Sequence, residues 1–127
     1  MTLLAHDSAG QGLPVVVLLH GVGGGRAIWG EHGSGTVQAL AQAGLRAVAF
    51  DLPGYGDSML PDVLTLCGMA DAVASSLQTM GVQRAVIVGH SMGGMVAQLA
   101  AARHAALVQG LVPVCTPASF GKPAGAW

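Results

Sequence analysis

The chain has 127 residues, of which 52% are apolar and only 9% charged, and its formal net charge is −1. That length fits one modest domain, and the near-neutral charge excludes the basic footprint of a nucleic-acid-binding surface. No apolar run approaches the roughly 18 residues that span a bilayer, and Met1–Asp7 lacks the basic-then-apolar order of an export signal. A soluble, cytoplasmic chain with no membrane contact is therefore expected. Cys67 and Cys115 are far apart and form no C-x-x-C. They are expected to be reduced and structural, and the sequence calls for neither metal nor cofactor.

In chain order, residues 1–13 carry little pattern: Leu3-Leu4 suggests a short strand, and Ser8–Pro14 is rich in turn formers. Val15–Leu19 is a continuous β-branched and leucine run, the pattern of a strand covered on both faces. Thr36–Ala43 has Val37, Leu40 and Ala41 on one helical face and Gly44 as a stop. Arg46–Phe50 is the next strand. Leu60–Gly68 is weakly patterned, and a helix is expected over Met69–Met80, where Met69, Val73, Leu77 and Met80 recur at helical spacing before Gly81. The methionines read as core filler. Ala85–Val88 is a strand, Met95–Arg103 a helix, and Leu107–Cys115 the last strand, broken at Thr116-Pro117. The tail from Ala118 to Trp127 reads as loop.

The most informative stretch is Val86–Met95, Val-Ile-Val-Gly-His-Ser-Met-Gly-Gly-Met. A serine hydroxyl is a weak nucleophile until it is exposed beside a base and beside donors for an oxyanion. Gly89-His90-Ser91-Met92-Gly93 places Ser91 on a sharp strand-to-helix turn. Gly89 and Gly93 remove the Cβ atoms that would collide there, and Gly94 adds further room. The first glycine-rich loop, Gly21-Val22-Gly23-Gly24-Gly25, invites a phosphate-binding reading. The register fails, because the last glycine of G-x-G-x-x-G would fall on Arg26 or Ile28, and the only lysine is Lys122.

On these residues the chain resembles the α/β-hydrolase family, through the Ser91 elbow, through His20-Gly21-Val22-Gly23 and through Asp51-Leu-Pro-Gly-Tyr-Gly-Asp-Ser58. Among its members, the Gly21-Val-Gly-Gly-Gly-Arg-Ala-Ile-Trp29 and Asp51–Ser58 stretches look most like small-molecule enzymes such as 3-oxoadipate enol-lactonases. The resemblance implies an α/β fold: a mostly parallel sheet with helices on both faces, in three αβα layers. It implies Ser91 as nucleophile, with an oxyanion hole from the backbone N–H groups of Val22 and Met92, Gly23 being the alternative to Val22. Supporting roles fall to His20, Gly21, His90, Gly89 and Gly93, with His20 orienting its loop through its ring nitrogens. Trp29 is expected to pack rather than touch substrate. The implied substrate is a small carboxylic ester or lactone.

A serine hydrolase also needs a base, usually oriented by an acid. In the family the order is nucleophile, acid, histidine, so Asp51 and Asp57 come too early and read as turn residues accepting backbone hydrogen bonds. After Ser91 there is no Asp or Glu and only one histidine, His104. Along a helix at about 1.5 Å per residue it lies nearly 20 Å from Ser91. The expectation is thus that residues 1–127 form the N-terminal half of such a domain, ending at the strand after the nucleophile helix, with cap and C-terminal strands absent. The last strand would then be an unpaired apolar edge, and self-association or a complementing C-terminal segment is the expected partner. The reading from another class is an inactive fragment or interaction module that keeps the core.

Overall fold

Five consecutive apolar residues make Val15–Leu19 (β2) a strand buried on both faces, and it sits in the middle of the sheet. The computed structural model describes residues 3–117. Its strands are β1 (His6–Ala9), β2, β3 (Arg46–Phe50), β4 (Ala85–His90) and β5 (Val108–Val114), in the spatial order β1-β3-β2-β4-β5. β2, β3, β4 and β5 run parallel, while β1 pairs antiparallel with β3 through His6↔Phe50 to Ala9↔Ala47. The helices are α1 (Thr36–Gln42), α2 (Leu66–Thr79) and α3 (Met92–Arg103).

The period of two along each strand sorts the core into two layers. Val15, Val17 and Leu19 with Val48, Phe50 and Ile87 face α2 and α3, against Val73, Leu77, Val96 and Ala100. Val16 and Leu18 with Ala47 and Ala49 face Val37 of α1, and Trp29 packs there as well. Helices therefore cover both faces, which is the αβα layering expected from the sequence.

The differences lie at element ends. The first strand is His6–Ala9 rather than Leu3-Leu4. Three of its four residues are polar, and Asp7 and Ser8 are exposed, as an edge strand allows. Leu4 is buried beneath it, and its N–H donates to Ser76 Oγ at 3.0 Å. α2 begins at Leu66, one turn earlier than the apolar spacing indicated, since Thr65 caps it by accepting the Gly68 N–H at 2.9 Å. β4 runs on to His90 and α3 starts at Met92, leaving a single residue between them. β5 runs from Val108 to Val114, and the loop expected over 118–127 lies outside the described residues. Among the described residues β5 pairs only with β4, and Leu111, Val112 and Val114 are exposed along it. Pro113, which cannot donate to a ladder, fits such an edge.

α2 and α3 are also joined at the surface. Arg103 donates two hydrogen bonds to Asp71, at 2.9 and 2.7 Å, and His104 Nε2 lies 2.7 Å from the same carboxylate. The Arg103 hydrogen bonds, with help from His104, hold the Asp71 pKa at about 2. Because that value lies below the ordinary 3.8, the pair's contribution is present above 3.8 and is lost as pH falls toward 2. A carboxyl NMR titration should place the Asp71 midpoint near 2, and Arg103→Gln should move it upward. An unmoved midpoint would rule out the guanidinium as the cause.

Candidate active site

The parallel strands β2, β3 and β4 finish at one rim, because Leu19 is in register with both Phe50 and Gly89. The loops leaving β2 and β3 and the turn between β4 and α3 thus meet at that rim. Ser91 occupies the turn with φ 55° and ψ −117°, a conformation that non-glycine residues rarely hold and that costs about 1–3 kcal/mol. Backbone fixes it: the Ser91 N–H donates to Val114 O at 2.9 Å, and Ser91 O accepts from Gly94 at 2.9 Å and Met95 at 3.2 Å.

Close approach explains the flanking glycines. A Cβ on Gly89 would lie 2.1 Å from Gly93 O, and one on Gly93 would lie 2.4 Å from Leu19 O and 2.6 Å from His20 O. At Gly94 it would meet Thr116 Cγ2 at 2.4 Å. Gly21 is set against the turn from the other side, where an added Cβ would come 3.3 Å from Ser91 Cβ and 3.2 Å from His90 Nδ1.

The β2 loop is held by its histidine. His20 is fully buried, and the Leu52 N–H donates to its Nε2 at 3.0 Å. A nitrogen that accepts carries no proton, so the ring is the Nδ1–H tautomer, and that group donates to Gly21 O at 2.8 Å. Both nitrogens are occupied, and His20 has none to offer Ser91. The loop then turns through Gly23 at φ 76°, with the Gly24 N–H on Gly21 O. Val22 is 74% exposed. The N–H groups of Val22, Gly23 and Met92 have no backbone acceptor among the described residues. Met92 N–H is also the first of α3, whose dipole favours negative charge at this end.

Two features near the rim were not anticipated. Tyr55 packs edge-on against His20 with centroids 5.1 Å apart, and its hydroxyl reaches Met92 Sδ at 3.9 Å. Arg26 opens a turn of 3-10 helix, Arg26–Trp29, and bridges three carboxylates: Asp51, Asp7 at 3.2 Å and Asp57 at 3.2 Å. Asp51 is 2% exposed and accepts the backbone N–H groups of Arg26 at 2.7 Å and Asp57 at 2.9 Å. Its burial opposes ionisation, but those two N–H groups and the guanidinium outweigh it and lower the pKa. Asp51 thus accepts backbone hydrogen bonds at the turn, as read, whereas the Asp57 carboxylate accepts none among the described residues and faces Arg26 instead; the missed element is the cation between them. An arginine directly after a glycine run gives no sequence signal of that role.

Neither histidine near the ends of α3 is hydrogen-bonded to the Ser91 hydroxyl among the described residues. His104 is engaged with Asp71 at the C-terminal end of α3, about 18 Å along a twelve-residue helix from Ser91. His90 Nδ1 is buried against Gly21 with no partner. The Ser91 hydroxyl makes no side-chain hydrogen bond among the described residues, and no group of three or more His, Cys, Asp or Glu there is placed to hold a metal.

A family model described as alpha/beta hydrolase fold matches residues 14–127. The chain belongs to the α/β-hydrolase fold family. It is 39% identical over 121 residues to ABHD14A of Danio rerio, covering 91% of this chain and 43% of that protein. It is 40% identical over 119 residues to pimeloyl-[acyl-carrier protein] methyl ester esterase of Vibrio atlanticus, covering 94% and 42%. Among solved structures, a thermophilic esterase from Thermogutta terrifontis superposes with a TM-score of 0.83 at 32% identity, covering 94% of this chain and 43% of the esterase. The chain therefore spans less than half the length of these α/β-hydrolases. No helix among the described residues is long and apolar enough to cross a membrane.

Proposed function

We propose that this chain carries the nucleophile and oxyanion hole of a serine hydrolase acting on small carboxylic esters or lactones. The observation that carries the reading is Ser91 at φ 55° on a one-residue turn walled by glycines. Strain is retained there because it presents a hydroxyl beyond the sheet. In the proposed step Ser91 Oγ attacks the ester carbonyl carbon as a base takes its proton. The carbonyl oxygen becomes an oxyanion held by the N–H groups of Met92 and Val22, with Gly23 as the alternative to Val22. His20 fixes the Val22 loop, and Gly21, Gly89, Gly93 and His90 shape the turn. Collapse of the intermediate expels the alcohol and leaves an acyl-serine for water to cleave. The base and its orienting acid come from a longer chain or a complementing segment. Free thiols at Cys67 and Cys115 fit a cytoplasmic setting.

That the Ser91 hydroxyl has no side-chain hydrogen-bond partner among the described residues favours one second reading, a binding module that keeps the hydrolase core without turnover. Intact-mass measurement with a fluorophosphonate probe separates the two. The hydrolase reading expects one adduct per chain that vanishes in Ser91→Ala. A folded protein that shows no Ser91-dependent adduct, alone or in its native assembly, supports the binding module and removes the hydrolase.

A further inference from the structure

A second site lies at the opposite end of the sheet, where the parallel strands begin rather than end. A cavity of about 860 Å³ opens there among the β1–β2 loop, the α2–β4 loop and the first residues of β2, β3 and β5. That volume is within the range of small-molecule sites. Seven residues of strand at about 3.3 Å each separate Arg84 from Ser91, so the cavity is about 20 Å from the nucleophile.

Its charge is one-sided. Arg46 and Arg84 line it, together with the amides of Gln11, Gln83 and Gln109, and no Asp or Glu does. The four arginines divide cleanly: Arg26 and Arg103 are in ion pairs with carboxylates, and Arg46 and Arg84 are in none among the described residues. The Arg46 guanidinium makes only a long bond of 3.4 Å to Ser8 Oγ, and Arg84 makes no side-chain hydrogen bond among the described residues. Neither donates to the carbonyls at the ends of α1 or α2, so helix capping does not account for them.

Register brings the two cations to one place. Arg46 is opposite Val15, and Val15 is opposite Ala85, the residue after Arg84. With strands about 4.8 Å apart, the two backbones are about 10 Å apart across β2. Once Arg46 gives up its long bond to Ser8 on β1, two guanidinium groups on long side chains can close on a single ligand between them. Guanidinium is suited to bidentate recognition of carboxylate and phosphate, and the amides add neutral donors.

We propose that this cavity binds a small oxyanion, phosphoryl or carboxylate, held between Arg46 and Arg84. The site is independent of the Ser91 chemistry. Amide NMR titrations of the 127-residue chain at fixed ionic strength, one with inorganic phosphate and one with succinate, test it. Saturable shifts at Arg46, Arg84 and Gln109 are expected with at least one anion. Whichever saturates names the group, phosphoryl or carboxylate. Arg46→Gln and Arg84→Gln should each weaken binding by about tenfold, the double variant should abolish it, and Arg103→Gln, away from the cavity, should leave it unchanged. Far-UV circular dichroism checks that each variant is folded. If neither anion saturates, or if the double variant binds like the parent, the site does not exist.

Discussion

Gly93→Ala is expected to destabilise the protein by about 3 kcal/mol or more, the upper range for forcing atoms into a packed interior. The new methyl would lie 2.4 Å from Leu19 O and 2.6 Å from His20 O. Those atoms are main chain of the last residue of the central strand and of the residue after it, so no side chain can rotate aside. Relief requires β2 and α3 to separate, which opens the core layer containing Leu19 and Val96. Gly81→Ala is the matched control. Its Cβ would meet nothing within 4 Å, and the cost is confined to holding φ +77° without glycine, about 1–2 kcal/mol. Urea unfolding of the two variants should therefore differ in midpoint in that order. Equal midpoints would mean that the turn yields freely, and the close approach would lose its explanatory role.

Arg26→Met is expected to cost about 3 kcal/mol near neutral pH, because it leaves the Asp51 carboxylate buried without its cation. The low end of the range applies, since Arg26 keeps 25% side-chain exposure and two backbone donors remain on Asp51. The pH dependence gives the effect its signature. In the parent protein the Asp51 pKa is lowered from 3.8, so its stabilisation is present above 3.8 and lost as pH falls below it. Without Arg26, burial favours the protonated acid. The deficit should be largest near pH 7 and shrink in acid, where both proteins hold a neutral carboxyl. A deficit that is flat between pH 7 and pH 3 would show that Arg26 acts by packing alone.

The sequence made the sheet and the elbow readable because both depend on local chemistry. Val15–Leu19 has no polar residue, so it read as a strand covered on both faces, and the glycines around Ser91 mark where backbones touch. Asp51 was recognisable as a turn acid from its neighbours in the chain. Its cation was not, since Arg26 is 25 residues away and reaches it only after β2 and β3 align. Tyr55 was missed for the same reason: its contacts with His20 and Met92 exist only once three loops share a rim. The β1 strand escaped notice because an edge strand needs only half its faces apolar, and His6–Ala9 has little hydrophobic pattern to show.

The Arg26 junction also bears on how the rim moves. Asp7 lies in the edge strand, Arg26 follows the glycine loop, and Asp51 and Asp57 bracket the turn after β3. With one guanidinium tethering all of them, and Ser58 Oγ tied to both Asp51 O and the Ala5 N–H, these segments have little freedom to fluctuate singly. Displacement of the Val22 loop is then coupled to displacement of the β3 turn 30 residues later in the chain. The rim is therefore expected to move as one body rather than loop by loop.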